Sequence, residues 1–228
     1  MELNSDFSKR VVVHGDFLEW LPSPMAGVER KMLDRIGNEI ARATTIVRYA
    51  PNSKFSPHVH HGGEEFIVLD GVFQDEHGDY PRGSYIRNPP QSEHTPGSED
   101  GCIIFVKLWQ FDLQDRTSVR ISADNTTTTA DSRRYGVGVT PLFKDEREEV
   151  RIESWLANTE VKIDAPQGAE LFVLSGSFIE SEDELVTNSW LRVPANSQIV
   201  ALTGDCGAKV WLKRHLSFVS IPDYEFAR

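Results

Sequence analysis

Two stretches of this chain repeat the same pattern at an offset of 105 residues, and this repeat limits the folds the chain can adopt. GEEFIVLDGVF begins at Gly63 and GAELFVLSGSF begins at Gly168, so that glycines, apolar positions and a final phenylalanine coincide. The same offset places Arg87 on Arg192 and, with one inserted residue, the later strands also align. A repeat of this length predicts two consecutive copies of one domain.

Strand signals dominate both copies. Segments such as TTIVRYA, EFIVLDGVF, CIIFVKLWQF and ELFVLSGSF are rich in β-branched and aromatic residues and are separated by turn formers. We therefore predict an all-β protein of two tandem antiparallel barrels or sandwiches. The predicted domains are 1–122 and 135–228, joined by the polar linker ADNTTTTADSRR at 123–134. One segment, KMLDRIGNEIARA at 31–43, has apolar spacing that also fits a short helix.

Composition excludes several classes of function. The formal net charge of −11, without a cluster of basic residues, argues against a nucleic-acid-binding surface. No run of residues is long and apolar enough to predict a membrane span, and the N-terminal segment MELNSDFSKRVVV has no apolar signal core. With only Cys102 and Cys206, a disulfide framework is not expected. We expect a cytoplasmic protein.

The segment SPHVHHGGEEFIVLDGVF contains the candidate metal ligands. His58 and His60 are two residues apart in a predicted strand, so their side chains point to the same face. Glu64 follows across a Gly-Gly turn, and His94 can return on a neighbouring antiparallel strand. Three imidazoles and one carboxylate suit zinc, iron, nickel, manganese or cobalt. The ordinary alternative is an exposed, solvated turn.

The second copy helps to separate these interpretations. All four candidate positions become apolar there, while the surrounding pattern remains; the replacements are His58 by Ile163, His60 by Ala165, Glu64 by Ala169 and His94 by Ile199. Residues that are replaced as a set behave as one unit, as ligands of a single ion would. We therefore predict a metal site in the first copy and none in the second.

Neighbouring titratable residues receive other interpretations. Glu65 has the opposite strand parity and persists as Glu170 in the second copy, so we interpret it as structural. His61 also has the opposite parity and is expected at the site entrance or in solvent. Five side chains near the site could contact a substrate; they are Tyr49, Phe66, Tyr85, Arg87 and Phe105. The alternatives are ordinary barrel-core packing for the aromatic residues and a surface salt bridge for Arg87, and the persistence of Arg87 as Arg192 favours a structural role.

These residues resemble a known family. His-x-His-x3-Glu-x6-Gly from His58 to Gly71 resembles the first cupin motif, and Gly83-x5-Pro89-x4-His94 resembles the second. Gln91 stands where the second motif usually has glycine. The resemblance implies jelly-roll barrels, with a metal held inside the first barrel by His58, His60, Glu64 and His94. More narrowly, residues 40–115 resemble the cupin domain of ChrR-type anti-sigma factors.

Two functions follow from this resemblance as hypotheses. The first is a metal-binding sensor or ligand-binding module with zinc as the expected ion. A sigma-binding zinc domain is not expected, because the first cysteine is Cys102 and only His14 precedes His58 among the histidines. The alternative is a dioxygenase that uses iron, nickel or manganese to cleave a diketone or a hydroxylated aromatic compound. The expected partners are a small molecule or a regulatory protein, and a homodimer is a further expectation from the family.

Overall fold

A computed structural model describes residues 1–38 and 40–214 of the chain. Within these residues, the regular structure is β-strand apart from two short 3-10 turns at Gly15–Phe17 and Ala123–Asn125. The strands before the second turn are β1 (Glu2–Leu3), β2 (Val11–His14), β3 (Leu21–Pro22), β4 (Val28–Gly37), β5 (Ala41–Tyr49), β6 (Ser53–Lys54), β7 (His58–His60), β8 (Glu64–Asp75), β9 (Gly78–Pro81), β10 (Tyr85–Asn88), β11 (Ser92–His94), β12 (Gly97–Ser98), β13 (Cys102–Leu108) and β14 (Val119–Ile121). The later strands are β15 (Thr129–Ala130), β16 (Val137–Lys144), β17 (Glu149–Trp155), β18 (Glu160–Ala165), β19 (Ala169–Glu180), β20 (Asp183–Val186), β21 (Ser189–Val193) and β22 (Ser197–Arg214).

The chain folds as two compact units. Among the described residues, the first unit contains Met1–Ser5 and Trp20–Asp124, and the second contains Asp6–Glu19 and the residues from Asn125 onward. The division falls inside the segment 123–134, which we interpreted as a linker. Asp6–Glu19 lie in the sequence range of the predicted first domain but fold with the second unit. The end of the predicted second domain, 215–228, lies outside the described residues.

Antiparallel pairing builds the first unit. Its main sheet has the strand order β1-β4-β5-β13-β8-β10-β14, and β7 and β11 form a separate two-stranded ribbon. The long strand β8 lies between β13 and β10, so it occupies the middle of the barrel wall. β-Branched and aromatic residues favour such strands because they pack well on a pleated surface. The predicted all-β class is therefore confirmed in this unit.

The second unit repeats the same arrangement. Its sheet has the order β15-β16-β17-β22-β19-β21-β2, with β18 on β22 and β20 on β19. Alternation along β18 is strict: Val161, Ile163 and Ala165 are buried, whereas the three residues between and before them are exposed. The outermost strand, β2, comes from Asp6–Glu19 and pairs with β21. Both units are antiparallel barrels of the jelly-roll type.

Irregularities of the two barrels coincide as well. A β-bulge interrupts the β4–β5 pairing between Met32 and Asp34, and another interrupts the β16–β17 pairing between Pro141 and Phe143. Bulges re-aim side chains and bend a strand, so they are specific features of a fold. Their shared position supports the duplication inferred from the sequence.

The short helix considered for residues 31–43 is wrong. Residues 31–37 belong to β4 and residues 41–43 to β5, and these two strands pair antiparallel up to Gly37 and Ala41. Gly37 has φ of +114°, a conformation that residues with a Cβ rarely adopt, and it ends β4. Pairing along the sheet, which a single segment does not reveal, overrides the helical spacing of the apolar residues.

No helix in the described ranges combines the length and hydrophobicity needed to cross a lipid bilayer.

Candidate metal centre

The β7–β11 ribbon brings two of the predicted ligands face to face. His58 of β7 is the direct partner of His94 in β11, and His60 is the partner of Ser92. Directly opposed residues of an antiparallel pair project their side chains to the same face. His58 and His60 share that face because they are two residues apart. The three histidines therefore converge on one point.

The imidazole nitrogens lie close together. Nε2 of His60 is 2.9 Å from Nε2 of His94, and the nearest ring nitrogens of all three histidines lie within 4.8 Å of one another. His94 is buried, with 2% of its surface exposed, whereas His58 and His60 are partly exposed. The histidine cluster thus has one side closed by protein and one side accessible.

Glu64 completes the group at the start of β8. Its Oε2 lies 3.5 Å from Nε2 of His60 and 3.6 Å from Nε2 of His94. Asn88, its partner on β10, donates a hydrogen bond of 3.1 Å from Nδ2 to the same oxygen. Ligands of one zinc-sized ion at about 2.0–2.2 Å are separated by about 2.9–3.6 Å. The donor types suit a divalent ion, and the separations among His60, His94 and Glu64 fall in this range, whereas the 4.8 Å span of the three histidines is wider.

Two further contacts orient the histidines. Nδ1 of His94 lies 3.4 Å from Oδ2 of Asp75, and Nδ1 of His58 lies 3.1 Å from the carbonyl oxygen of Ser56. The contact of His94 engages the ring nitrogen opposite Nε2, which lies beside His60 and Glu64. Such partners fix the tautomer and ring orientation of histidines that bind metals. Sequence analysis did not identify Asp75, which lies beyond Gly71 and outside both motifs.

The environment separates the pKa values of two neighbouring histidines. Burial lowers the pKa of His60, and the charge of Glu64 only partly offsets this effect. Burial would also lower the pKa of His94, but the hydrogen bond to Asp75 and the charge of Glu64 outweigh it, so that pKa is raised. The short Nε2–Nε2 contact therefore joins a His94 that favours the protonated form to a His60 that favours the neutral form.

Glu65 and Arg87 lie away from the cluster. The Glu65 carboxylate accepts a hydrogen bond from the Tyr85 hydroxyl. Arg87 donates a hydrogen bond of 2.8 Å to Asp115 and stacks 4.2 Å above the ring of Phe111. Both Glu65 and Arg87 are almost fully buried, with 1% of their surfaces exposed. These contacts agree with the structural interpretation of Glu65. Arg87 forms an ion pair, but the pair is buried and not at the surface as we expected.

The second barrel replaces the cluster with aliphatic packing. Ile163 of β18 pairs with Ile199 of β22, in the same relation as His58 and His94. Ala169 pairs with Val193, as Glu64 pairs with Asn88. All of these second-barrel residues belong to one buried apolar core, together with Ala165. Residues that align between the two copies in the sequence therefore occupy equivalent positions in the two barrels.

A cavity of about 630 Å³ opens beside the histidines in the first barrel. His58, His60 and Glu64 line this cavity. Of the five residues proposed to contact a substrate, Tyr49 lines the cavity and the other four do not. The rest of its wall is largely apolar; this part includes Met25, Val28, Val47, Ile104, Val106 and Leu108. Arg30 and Arg35 also line the cavity, and sequence analysis did not identify them.

The fold and the cluster together define a bicupin with a polar site in its first barrel and an apolar core in its second. Residues 8–112 match the family described as the ChrR cupin-like domain. This match confirms the resemblance found in the sequence. No curated protein matches the chain.

Solved structures share the fold over most of their length. A protein from Nostoc punctiforme proposed to be a dioxygenase is 14% identical, with a TM-score of 0.76 over 93% of this chain and 85% of that one. Ylba from E. coli is 15% identical, with a TM-score of 0.69 over 95% of each chain. An oxalate decarboxylase from Lactobacillus farciminis is 9% identical, with a TM-score of 0.65 over 92% of this chain and 87% of that one. At these low identities the likeness shows a shared cupin fold.

Proposed function

We propose that the first barrel holds one divalent metal ion on His58, His60, Glu64 and His94, and that a small molecule binds in the cavity beside this ion. The observation that carries the proposal is the convergence of three imidazoles and a carboxylate beside a largely apolar cavity, which His58, His60 and Glu64 line. A cluster of this kind without an ion would leave a costly set of polar groups in a largely apolar barrel.

The chain's own residues would hold and shield the ion. Asp75 orients His94, and Asn88 orients Glu64 through its hydrogen bond to Oε2. The apolar cavity wall limits access of water to the ion and to any molecule bound beside it. A bound divalent ion would supply Lewis acidity, polarising an oxygen atom of a ligand. The four donor groups suit zinc, iron, nickel or manganese.

Our first candidate function is that of a sensor or ligand-binding module. The match of residues 8–112 to the ChrR cupin-like domain supports this role. The signal would be a small molecule bound in the cavity, and a regulatory protein would respond to the change. The homodimer expected from the family remains part of this proposal.

A second candidate function is that of a dioxygenase. The supporting observation is that the cavity reaches His58, His60 and Glu64 directly, as a substrate that binds the ion would require. The Nostoc punctiforme protein, which shares the fold, is likewise proposed to be a dioxygenase. The expected substrates are diketones or hydroxylated aromatic compounds.

The first experiment is elemental analysis of protein purified without added metal or chelator. Wild type is compared with His60→Ala and with His77→Ala, which removes an exposed histidine of the same barrel. We expect about one equivalent of metal in wild type and His77→Ala, and a loss of that metal in His60→Ala. Equal trace amounts in all three proteins would show that the proposed site is wrong.

The identity of the metal decides between the two functions. Zinc favours the sensor, because it is redox-inactive, and leads to a search for a regulatory partner. Iron, manganese or nickel favours the dioxygenase and leads to oxygen-uptake assays with diketones and catechols.

A further inference from the structure

Two arginines line the cavity of the first barrel although the chain as a whole is acidic. The formal net charge of the chain is −11, yet the described lining residues include Arg30 and Arg35 against a single carboxylate, Glu64. A divalent ion on the proposed ligands would add further positive charge. An apolar cavity with this balance favours a ligand that has an anionic group on an apolar body.

Arg30 is the side chain best placed to receive that anionic group. It lies on β4 and is only partly exposed, and its Nε is buried without a hydrogen-bond partner among the described residues. Buried arginine nitrogens normally have a partner, because an unmade hydrogen bond to a charged group is costly. Four other described arginines also have a buried Nε without a partner, but Arg30 is the one of the five that lines this cavity. By contrast, Arg35 donates to the carbonyl oxygen of Asn38.

The second barrel lacks an arginine at the place equivalent to Arg30. Across the β4–β5 pair Arg30 is opposite Val47, and across the β16–β17 pair Val139 is opposite Glu153. The two pairs are equivalent by register. The first pair of β4 and β5 is Val28–Tyr49, the first pair of β16 and β17 is Val137–Trp155, and the compared pairs each follow two residues later. Arg30 is therefore replaced by Val139 in the barrel that has also lost the metal ligands.

Other cavity positions change to paired charges in the second barrel. Thr45 and Val47 line the cavity, and their equivalents are Arg151 and Glu153. Glu153 is fully buried and pairs with Arg151, and it also accepts a hydrogen bond of 2.7 Å from Trp155. The second barrel thus places an ion pair where the first barrel has the uncharged lining residues Thr45 and Val47.

We infer that the cavity of the first barrel binds a carboxylate with an apolar body, and that Arg30 receives the carboxylate. The apolar body would lie against Val28, Val47 and Val106. A guanidinium is suited to this role because its planar donors match the two carboxylate oxygens. The inference rests on the proposed function in one respect, namely that a metal ion would lie beside the histidines at the cavity wall. The contact between Arg30 and the carboxylate does not depend on that ion.

Calorimetric titration with matched probes tests the inference. Octanoate and 3-phenylpropionate are each compared with the neutral alcohol of the same skeleton, using the protein as purified. Arg30→Met removes the charge but keeps a long side chain, and Arg82→Met removes an exposed charge from the same barrel as a control. Arg30→Lys tests whether a positive charge alone restores binding.

We expect at least one carboxylate to bind wild type and Arg82→Met more tightly than its alcohol does. Arg30→Met should weaken carboxylate binding by about tenfold to a hundredfold, as expected for a charge-assisted hydrogen bond, and leave alcohol binding unchanged. Unchanged alcohol binding also shows that the variant is folded. Equal binding of acid and alcohol, an unaffected Arg30→Met variant, or no binding of either acid would overturn the inference.

Elemental analysis of the wild-type protein used in these titrations separates the two proposals. Carboxylate binding that depends on Arg30, in wild-type protein found to contain no metal, would reject the metal site and keep the inference. A metal-loaded protein that fails to discriminate acid from alcohol would reject the inference and keep the metal site.

Discussion

His58 and His94 are paired directly across strands β7 and β11, and Ile163 and Ile199 are paired in the same way in the second barrel. One fold therefore presents a polar cluster at this position in the first barrel and aliphatic packing in the second. This difference between equivalent positions supports a role in ligand binding for the polar cluster. It also provides a design for testing the role, because the second barrel supplies the matching apolar residues.

The first prediction concerns a variant that carries the second barrel's residues at all four positions, His58→Ile, His60→Ala, Glu64→Ala and His94→Ile. We expect this variant to bind no metal. Its free energy of unfolding should equal that of metal-free wild type or exceed it by up to about 3 kcal/mol, because aliphatic side chains replace clustered polar groups. Thermal unfolding in the presence of a chelator and elemental analysis check this result. Retention of metal, or a large loss of stability, would contradict the prediction.

A second prediction concerns the contact between Asp75 and His94. In Asp75→Asn the carboxylate that accepts from Nδ1 is lost, so His94 is less well oriented and less basic. We expect metal affinity to fall by about 10–100-fold. Competition with a chromophoric chelator measures the affinity. Asp79→Asn, an exposed carboxylate that contacts Gln74, is the matched control and should behave as wild type.

A third prediction concerns the buried pair of Arg87 and Asp115. Burial opposes ionisation of Asp115, but hydrogen bonds from Arg87 and from the backbone of Thr117 outweigh it and lower the pKa of Asp115. We expect Asp115→Ala to lower the free energy of unfolding by about 3 kcal/mol at neutral pH, because the buried charge of Arg87 loses its carboxylate. Denaturant titrations measure this loss, and Asp100→Ala, an exposed carboxylate, should change little.

The sign of the pH dependence follows from the lowered pKa. A carboxylate with a lower pKa in the folded state contributes stability above its unfolded value, and this contribution is lost as the pH falls through the folded value. The difference between wild type and Asp115→Ala should therefore be complete at pH above about 5 and should shrink progressively below about pH 4. A difference that is independent of pH would point to packing rather than charge.

A fourth prediction concerns Gly71 in β8. Its φ is +69°, and a Cβ at this position would lie 2.1 Å from the carbonyl oxygen of Gly101. We expect Gly71→Ala to destabilise the first barrel by about 2–4 kcal/mol through backbone strain and this clash. Gly78→Ala is the control, because it also has a positive φ but no atom within 4 Å of the added Cβ. Equal costs for the two variants would show that the clash is relieved.

The sequence predicted the fold class because strand signals and the repeat are local patterns. The segments around Gly63 and Gly168 align by residue type alone, and the structure places them as equivalent strands, β8 and β19. The helix considered at 31–43 was wrong because a single segment carries no information on its sheet partners. Asp6–Glu19 also fold with the second unit, which no pattern in those residues indicates.

The sequence by itself determined the duplication, the all-β class and the set of four polar residues that the second copy replaces. These features depend on residue type and on spacing along the chain. Only the tertiary structure decided that Asp75 contacts His94 and that Arg30 shares a cavity with His60. Those residues are brought together by pairing between distant strands, and the register of such pairing depends on the packing of the whole barrel.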